Sequence, residues 1–349
     1  MNPEPSTPAN PAIGTRHPAP DVAVVLDRVS KSYGSTKAVQ DLSFEIRAGE
    51  MFGLIGPDGA GKTTLIRLMC GLLTADRGAI RVLGYDPVRQ HRAVTREVGY
   101  LSQRFSLYGD LSIDENIAFF AEIHGVRQFR ARRDRLLDLT QLTPFRSRRA
   151  ERLSGGMKQK LALACTLVHE PKLIILDEPT TGVDPVSRRE FWKLLSEFLA
   201  QGLTIVMATP YLDEAERCAH IALLHDGRLL ALDEPGRLQA AHPGRLVEVI
   251  AEPHREAAAT LERLPEVADV QIFGERAHVR LADEAGPGAS GRLAAALGAQ
   301  PGLRVLSIRP VVASLEDVFI EKVAATTNTE RTRNERGTNT DVTRRTENL

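Results

Sequence analysis

Cysteine is scarce in this chain: Cys70, Cys165 and Cys218 stand far apart with no CxxC pair, so neither a disulfide framework nor a cysteine zinc site is expected. Charge imbalance is absent too. Lys+Arg and Asp+Glu both total 45, which leaves no basic surplus pointing to nucleic acid as a ligand. No run of about 18 apolar residues occurs, and the proline-rich start MNPEPSTPANPAIGTRHPAP lacks the apolar core of a cleaved leader. A reducing cytosol is therefore the expected setting, and contact with a membrane is expected to run through a partner. What is present is ordinary for a globular protein: 349 residues, 42% hydrophobic and 26% charged, enough for one large domain and a smaller one.

The chain divides by composition. Residues 1–20 and 326–349 are polar, rich in Pro or in Thr, Arg and Asn, and poor in core formers, so both ends are expected to be disordered. Over residues 21–240 short β-branched runs such as LTIVMA and LIILD alternate with helical patterns such as SRREFWKLLSEFLA, which predicts an α/β domain with a largely parallel sheet. Residues 241–325 read βαββαβ, ending in the amphipathic SLEDVFIEKV, and predict a small α+β domain.

Two stretches carry phosphate chemistry. MFGLIGPDGAGKTTLIRLMCGLL holds GxxxxGK[ST] between an apolar strand and an apolar-faced helix, placing Gly56, Pro57, Asp58, Gly59, Ala60, Gly61, Lys62, Thr63 and Thr64 on one loop. Glycines there let successive N–H groups curl around a phosphate at the helix N-terminus, Lys62 adds positive charge, and Thr63 can ligate Mg²⁺. A Gly-rich turn before a helix is the plainer reading, and it leaves Lys-Thr-Thr unexplained. LIILDEP then delivers two adjacent carboxylates to a strand end. Asp177 suits Mg²⁺, usually through water. Glu178 suits a general base on an attacking water. Met69 and Cys70 read as core.

Upstream of that pair, ERLSGGMKQKLALACTLVHEP contains LSGG, Leu153, Ser154, Gly155 and Gly156, and with it the chain resembles an ATP-binding cassette (ABC) subunit. A Ser-Gly-Gly helix cap would be preferred for LSGG alone. The resemblance covers roughly residues 22–235 and is nearest to ATPase subunits of drug-efflux or daunorubicin-resistance exporters; SLEDVFIEKV resembles their accessory domain less specifically. It implies a P-loop NTPase fold with a RecA-like core, an antiparallel β subdomain and a helical subdomain, plus a small C-terminal α+β domain. It also implies ATP and Mg²⁺, an integral-membrane export permease as partner, a location on the inner face of the cell membrane, and a head-to-tail homodimer or heterodimer in which LSGG meets the partner's nucleotide. By the same resemblance Tyr33 stacks on adenine, Gln103 reaches Mg²⁺ and the attacking water, the residues after it touch the permease, and Asp184 links the two sites.

Two positions depart from the family pattern. Asp58 replaces a frequent Asn and is expected to turn outward into an Asx-type bond. Pro210, in VMATPYLDEAERC, stands where the family has a switch histidine on the γ-phosphate. As structure it is expected to open a helix at its first position, capped by Thr209, with Asp213 and Glu214 in the positive first turn. As chemistry it removes a donor, and loss of one such donor costs about 10²–10³ in rate. His220 and His225 do not fit the motif.

The arginine runs VRQFRARRDR and FRSRRAER read first as a solvated helix face and second as contacts to acidic headgroups. The resulting expectation is an ATPase subunit energising an export permease, slow on its own. Two competitors stand beside it: a soluble cassette ATPase working on ribosomes or DNA, which usually carries two cassettes or a coiled-coil insertion, and an ATP-binding partner that hydrolyses nothing.

Overall fold

The computed structural model describes residues 21–103 and 107–326. The expected disordered ends lie outside them, except that Thr326 closes a helix over 315–326. Phe105, in the run expected to meet the permease, also falls outside.

Three fully buried runs, Met51–Ile55, Leu173–Asp177 and Thr204–Thr209, are parallel neighbours in a six-stranded sheet. A strand covered on both faces has no polar side to present, which is why these segments are nearly all apolar. From one edge the order is Val98–Leu101, Leu173–Asp177, Thr204–Thr209, Met51–Ile55, His220–His225 and Arg228–Asp233; the last strand alone is antiparallel. Ile55 pairs with Thr209, and Asp177 with Ala208. Three strands therefore end level, and the loops that follow them share one edge, where ligands of open α/β sheets bind.

A second sheet, antiparallel, joins Thr36–Arg47, Val22–Tyr33 and Arg77–Val82. Its hairpin turns through Gly34, whose φ of 59° suits the tight two-residue connection after Tyr33. The helical part contains Ile113–Ile123, Arg130–Leu139 and Gly155–Leu167. Its first helix starts at a capping box, with Ser112 and Glu115 satisfying each other's backbone N–H groups. Buried Asn116 fastens the preceding loop: its amide donates to the carbonyls of Tyr108, Leu111 and Ser112 and accepts from Tyr108 N–H. Several arginines of the two basic runs are not free solvated charges. Arg146 pairs with Asp114 at 2.8 Å and Asp134 at 3.1 Å, and Arg132 with Glu170 at 3.3 Å.

The C-terminal segment forms a four-stranded antiparallel sheet ordered Val267–Phe273, Arg276–Leu281, Leu246–Glu252, Arg304–Val311. This is the βαββαβ succession the sequence predicts. Helices His254–Leu261 and Ala289–Gly298 cover one face, with Val247, Val279, Leu293 and Leu297 in a core of their own. The chain then returns: helix 315–326 buries Leu315 and Val318 in the core shared by the large sheet and the helical part. Among the described residues no helix is long and apolar enough to cross a membrane.

Candidate functional site: a phosphate cradle facing two carboxylates

The loop from Ile55 to Lys62 is forced to be glycine at two points by close backbone approach. A Cβ on Gly56 would stand 2.2 Å from the Leu224 carbonyl oxygen, and one on Gly61, whose φ is 97°, 2.2 Å from that of Ala38. Ala60 is buried beneath the loop, while Pro57, Asp58 and Gly59 are exposed. Lys62 opens the helix Lys62–Met69 and folds back, its Nζ donating to the carbonyls of Gly56 at 2.7 Å and Pro57 at 3.0 Å. Burial draws the Lys62 ammonium below its ordinary pKa, against the opposing charges of Glu178, Asp58 and Asp177. Asp58 makes no Asx-type bond among the described residues, contrary to expectation; it stays in solvent and acts on Lys62 as a charge.

Adjacent carboxylates at the end of Leu173–Asp177 part company as strand geometry requires. Asp177 is 2% exposed and accepts from the Thr63 hydroxyl at 3.1 Å. Burial raises its pKa, Glu178 adds to that rise, and the Thr63 bond opposes it. Glu178 leaves the strand with φ of 49°, a conformation that is strained for a residue with a side chain, and its N–H donates to Ala208 at 2.9 Å. Its carboxylate then accepts from Gln103 Nε2 at 3.0 Å and Thr181 Oγ1 at 3.3 Å. Gln103, expected on the metal, is thus seated on Glu178.

The third loop corrects the sequence reading. The short helix after Thr204–Thr209 is Leu212–Ala215, and Tyr211, not Thr209, occupies its N-cap position. Pro210 lies before the helix instead of opening it. Thr209 is still the last residue of the strand, so its hydroxyl accepts from Tyr211 N–H at 3.1 Å and donates to Glu214 at 2.7 Å. Asp213 and Glu214 do stand in the first turn of that helix, as expected, and Glu214 is buried there and also accepts from the Thr180 hydroxyl.

One cleft of about 450 Å³ is lined by Asp58, Gly59, Gly61, Lys62, Thr63, Thr64, Gln103, Glu178 and Pro210. Thr181 and Tyr211 line it as well. Sequence reasoning passed over both, although each stands one to three residues from a singled-out position. Tyr33 is 47% exposed on the antiparallel sheet, with the Lys31 ammonium 6.0 Å from its ring, and is not part of that lining. Nor is the signature: Ser154 caps Gly155–Leu167 by accepting from Met157 N–H, and Ser154 and Gly155 lie open to solvent. Gly156 packs so closely on Ser187 that a Cβ would meet its Oγ at 2.2 Å. Asp184 caps the neighbouring helix Pro185–Ala200, accepting from Val186 and Ser187 N–H at 3.0 Å each. Hydrogen bonding by the Ser187 side chain first, then by the Ser187 and Val186 N–H groups, holds the Asp184 carboxyl below its ordinary pKa.

Comparison with known proteins decides the family. Residues 39–181 match the family model described as "ABC transporter". The Nod factor export ATP-binding protein I of Paraburkholderia xenovorans is 39% identical over 304 residues, covering 86% of this chain and 97% of that protein. The chain belongs to the ABC transporter family. The probable multidrug ABC transporter ATP-binding protein YbhF of Escherichia coli is 41% identical over 309 residues; 86% of this cassette chain is matched, yet it spans 52% of that relative's length. Among solved structures, cbiO1 from Clostridium perfringens, part of the ABC transporter complex cbiONQ, superposes with a TM-score of 0.59 at 26% identity, covering 70% of this chain and 97% of that one. The α/β architecture is thus that of ABC ATPase cassettes, a family that binds and hydrolyses ATP.

Proposed function

We propose that this chain is the ATP-binding and hydrolysing subunit of an export transporter, with residues 21–240 as the cassette and 241–325 as an accessory domain. The observation that carries the reading is one cleft in which Lys62, Thr63 and the Gln103–Glu178 pair meet at the carboxyl ends of three strands, with buried Asp177 held behind it by the Thr63 hydroxyl. Loop N–H groups from Gly56 to Thr64 cradle the β- and γ-phosphates, Lys62 exchanges its carbonyl partners for them, and Tyr33 stacks on adenine. Glu178 takes the proton of the attacking water, which Gln103 helps to place. Ser154 and Gly155, exposed and outside the lining of their own chain's cleft, face the nucleotide of a second cassette together with the buried Gly156, in a homodimer or heterodimer whose sites communicate through Asp184.

The donors fit Mg²⁺. They are hard oxygens 3.1 Å apart, and Asp177 is a buried carboxylate whose charge is eased by the Thr63 hydrogen bond and by the charges of Arg67 and Lys62. Thr63 and Asp177, with Gln103, are assigned to the ion, which when bound neutralises charge on the phosphates. The similar multidrug and Nod factor export proteins support a membrane permease as partner, with the chain peripheral on the cytoplasmic face. The transported substrate is then chosen by the permease. Pro210 leaves hydrolysis slower than at a site with histidine.

The test is equilibrium MgATP binding together with steady-state phosphate release. Lys62→Ala is expected to weaken binding by about tenfold or more by removing the charge on the phosphates. Glu178→Gln is expected to bind normally and to lose turnover by about 10²-fold or more. Unchanged affinity in Lys62→Ala would sink the assignment.

A further inference from the structure

We infer that the Tyr211 hydroxyl supplies the γ-phosphate hydrogen bond that Pro210 cannot, so that hydrolysis by this chain runs on a phenol O–H in place of an imidazole. The inference rests on the reading of the cleft as an ATPase site. Tyr211 directly follows Pro210, is 38% exposed, and lines the same cleft as Lys62, Gln103 and Glu178. Its backbone is fixed by its N–H donating to Thr209 Oγ1 at 3.1 Å. Its ring is fixed from outside the cleft. The Arg188 guanidinium stacks over it at 5.2 Å, a cation–π distance, and is itself held beside Glu214 at 3.8 Å and Asp213 at 3.9 Å. An aromatic side chain held at its backbone and against one ring face has less rotational freedom to lose in the reaction, which favours a preorganised donor.

Other donors on that wall are engaged. The Gln103 amide and the Thr181 hydroxyl both donate to Glu178, and proline has no N–H. The Tyr211 hydroxyl, by contrast, has no hydrogen-bond partner among the described residues. In the reaction a water oxygen bonds to the γ-phosphorus and its proton passes to Glu178. The bond from the γ-phosphorus to the bridging oxygen breaks, leaving its electron pair on ADP. Charge builds on the γ-oxygens throughout, and an O–H aimed at them stabilises the transition state more than the ground state.

The test uses the purified full-length chain. Tyr211→Phe keeps the ring under Arg188 and removes only the hydroxyl, so the thermal midpoint and the MgATP dissociation constant are expected to stay within error while kcat falls by about 10²-fold. Adding Pro210→His to Tyr211→Phe is expected to recover turnover, because a donor returns to the adjacent position. Equal kcat in wild type and Tyr211→Phe overturns the inference, as does a loss confined to ATP affinity. Wild-type turnover that survives Glu178→Gln overturns the reading of the cleft itself, an outcome separate from the behaviour of Tyr211→Phe.

Discussion

Glu214 is 1% exposed, and a carboxylate taken out of water keeps its charge only where donors surround it. Its donors are the hydroxyls of Thr180 and Thr209, the latter at 2.7 Å. Thr180 stands two residues past Glu178 and Thr209 one residue before Pro210, so a single carboxylate ties the loop of the base to the loop of the switch position. Glu214→Ala leaves both hydroxyls without an acceptor and opens a void, and is expected to lower unfolding free energy by about 2–4 kcal/mol in urea titration. Glu214→Gln, which retains one acceptor, is expected to lose less than half of that. A smaller loss in the alanine variant than in the glutamine variant would remove the bridging role. This residue also marks where reading the sequence stops. Gly56 to Thr64 and the Asp177–Glu178 pair are legible because each group is contiguous and its geometry follows from strand, loop and helix start. From sequence alone Thr209 reads as a helix cap, because Thr followed by Pro has that local signature. Pairing of Thr209 with Ile55 keeps it in the strand, and only that tertiary register sends its hydroxyl to Glu214.

Elements meet where the helical part joins the sheet, and a histidine pair sits at that seam. His124 ends Ile113–Ile123 and His169 follows Gly155–Leu167; their rings stack in parallel with centroids 3.8 Å apart. Burial, reinforced by the neighbouring His124, pushes His169 down to about 4, and burial lowers His124 as well. Both are therefore neutral in the folded state, whereas in the unfolded chain they titrate near the ordinary value of about 6.5. A depressed histidine pKa means that the unfolded state takes up protons first on acidification. The stability involved is complete above about pH 6.5 and is lost as pH falls from there toward 4. Urea midpoints are expected to be level between pH 8 and 7 and to drop progressively at pH 6 and 5, with a shallower drop in His169→Asn. An equal slope in that variant would place the acid sensitivity elsewhere. Nothing in the spacing of His124 and His169 along the chain announces this contact. The βαββαβ order of the C-terminal segment was legible, by contrast, because strand and helix periods are local properties.

At the scale of the whole molecule, the C-terminal four-stranded unit is both separate and attached. All the residues that line the cleft precede residue 240, and the four-stranded sheet has its own core, so composition alone argues for two independent units. Helix 315–326 changes that balance. Leu315 and Val318 are each 1% exposed within the core that contains Leu223 and Leu238 of the cassette, and Phe319 packs on it with its ring 6.0 Å from that of His225. On the sheet side the same helix is held by Asp317, which accepts Ser314 N–H at 2.8 Å and pairs with His278 at 2.9 Å. The segment after the small domain is therefore a strap returning to the large one. Cutting the chain after residue 240 strips two fully buried aliphatic side chains from the cassette, a loss of about 3–6 kcal/mol at 1.5–3 kcal/mol each. Nucleotide affinity of the folded fraction is expected to remain within a few fold of wild type, because the cleft is untouched, while the thermal midpoint falls by many degrees. Leu315→Ala with Val318→Ala in the full-length chain is expected to reproduce much of that destabilisation with the small domain still in place. If the truncated cassette melts with the full-length chain, the strap contributes nothing to it and the two units are independent after all.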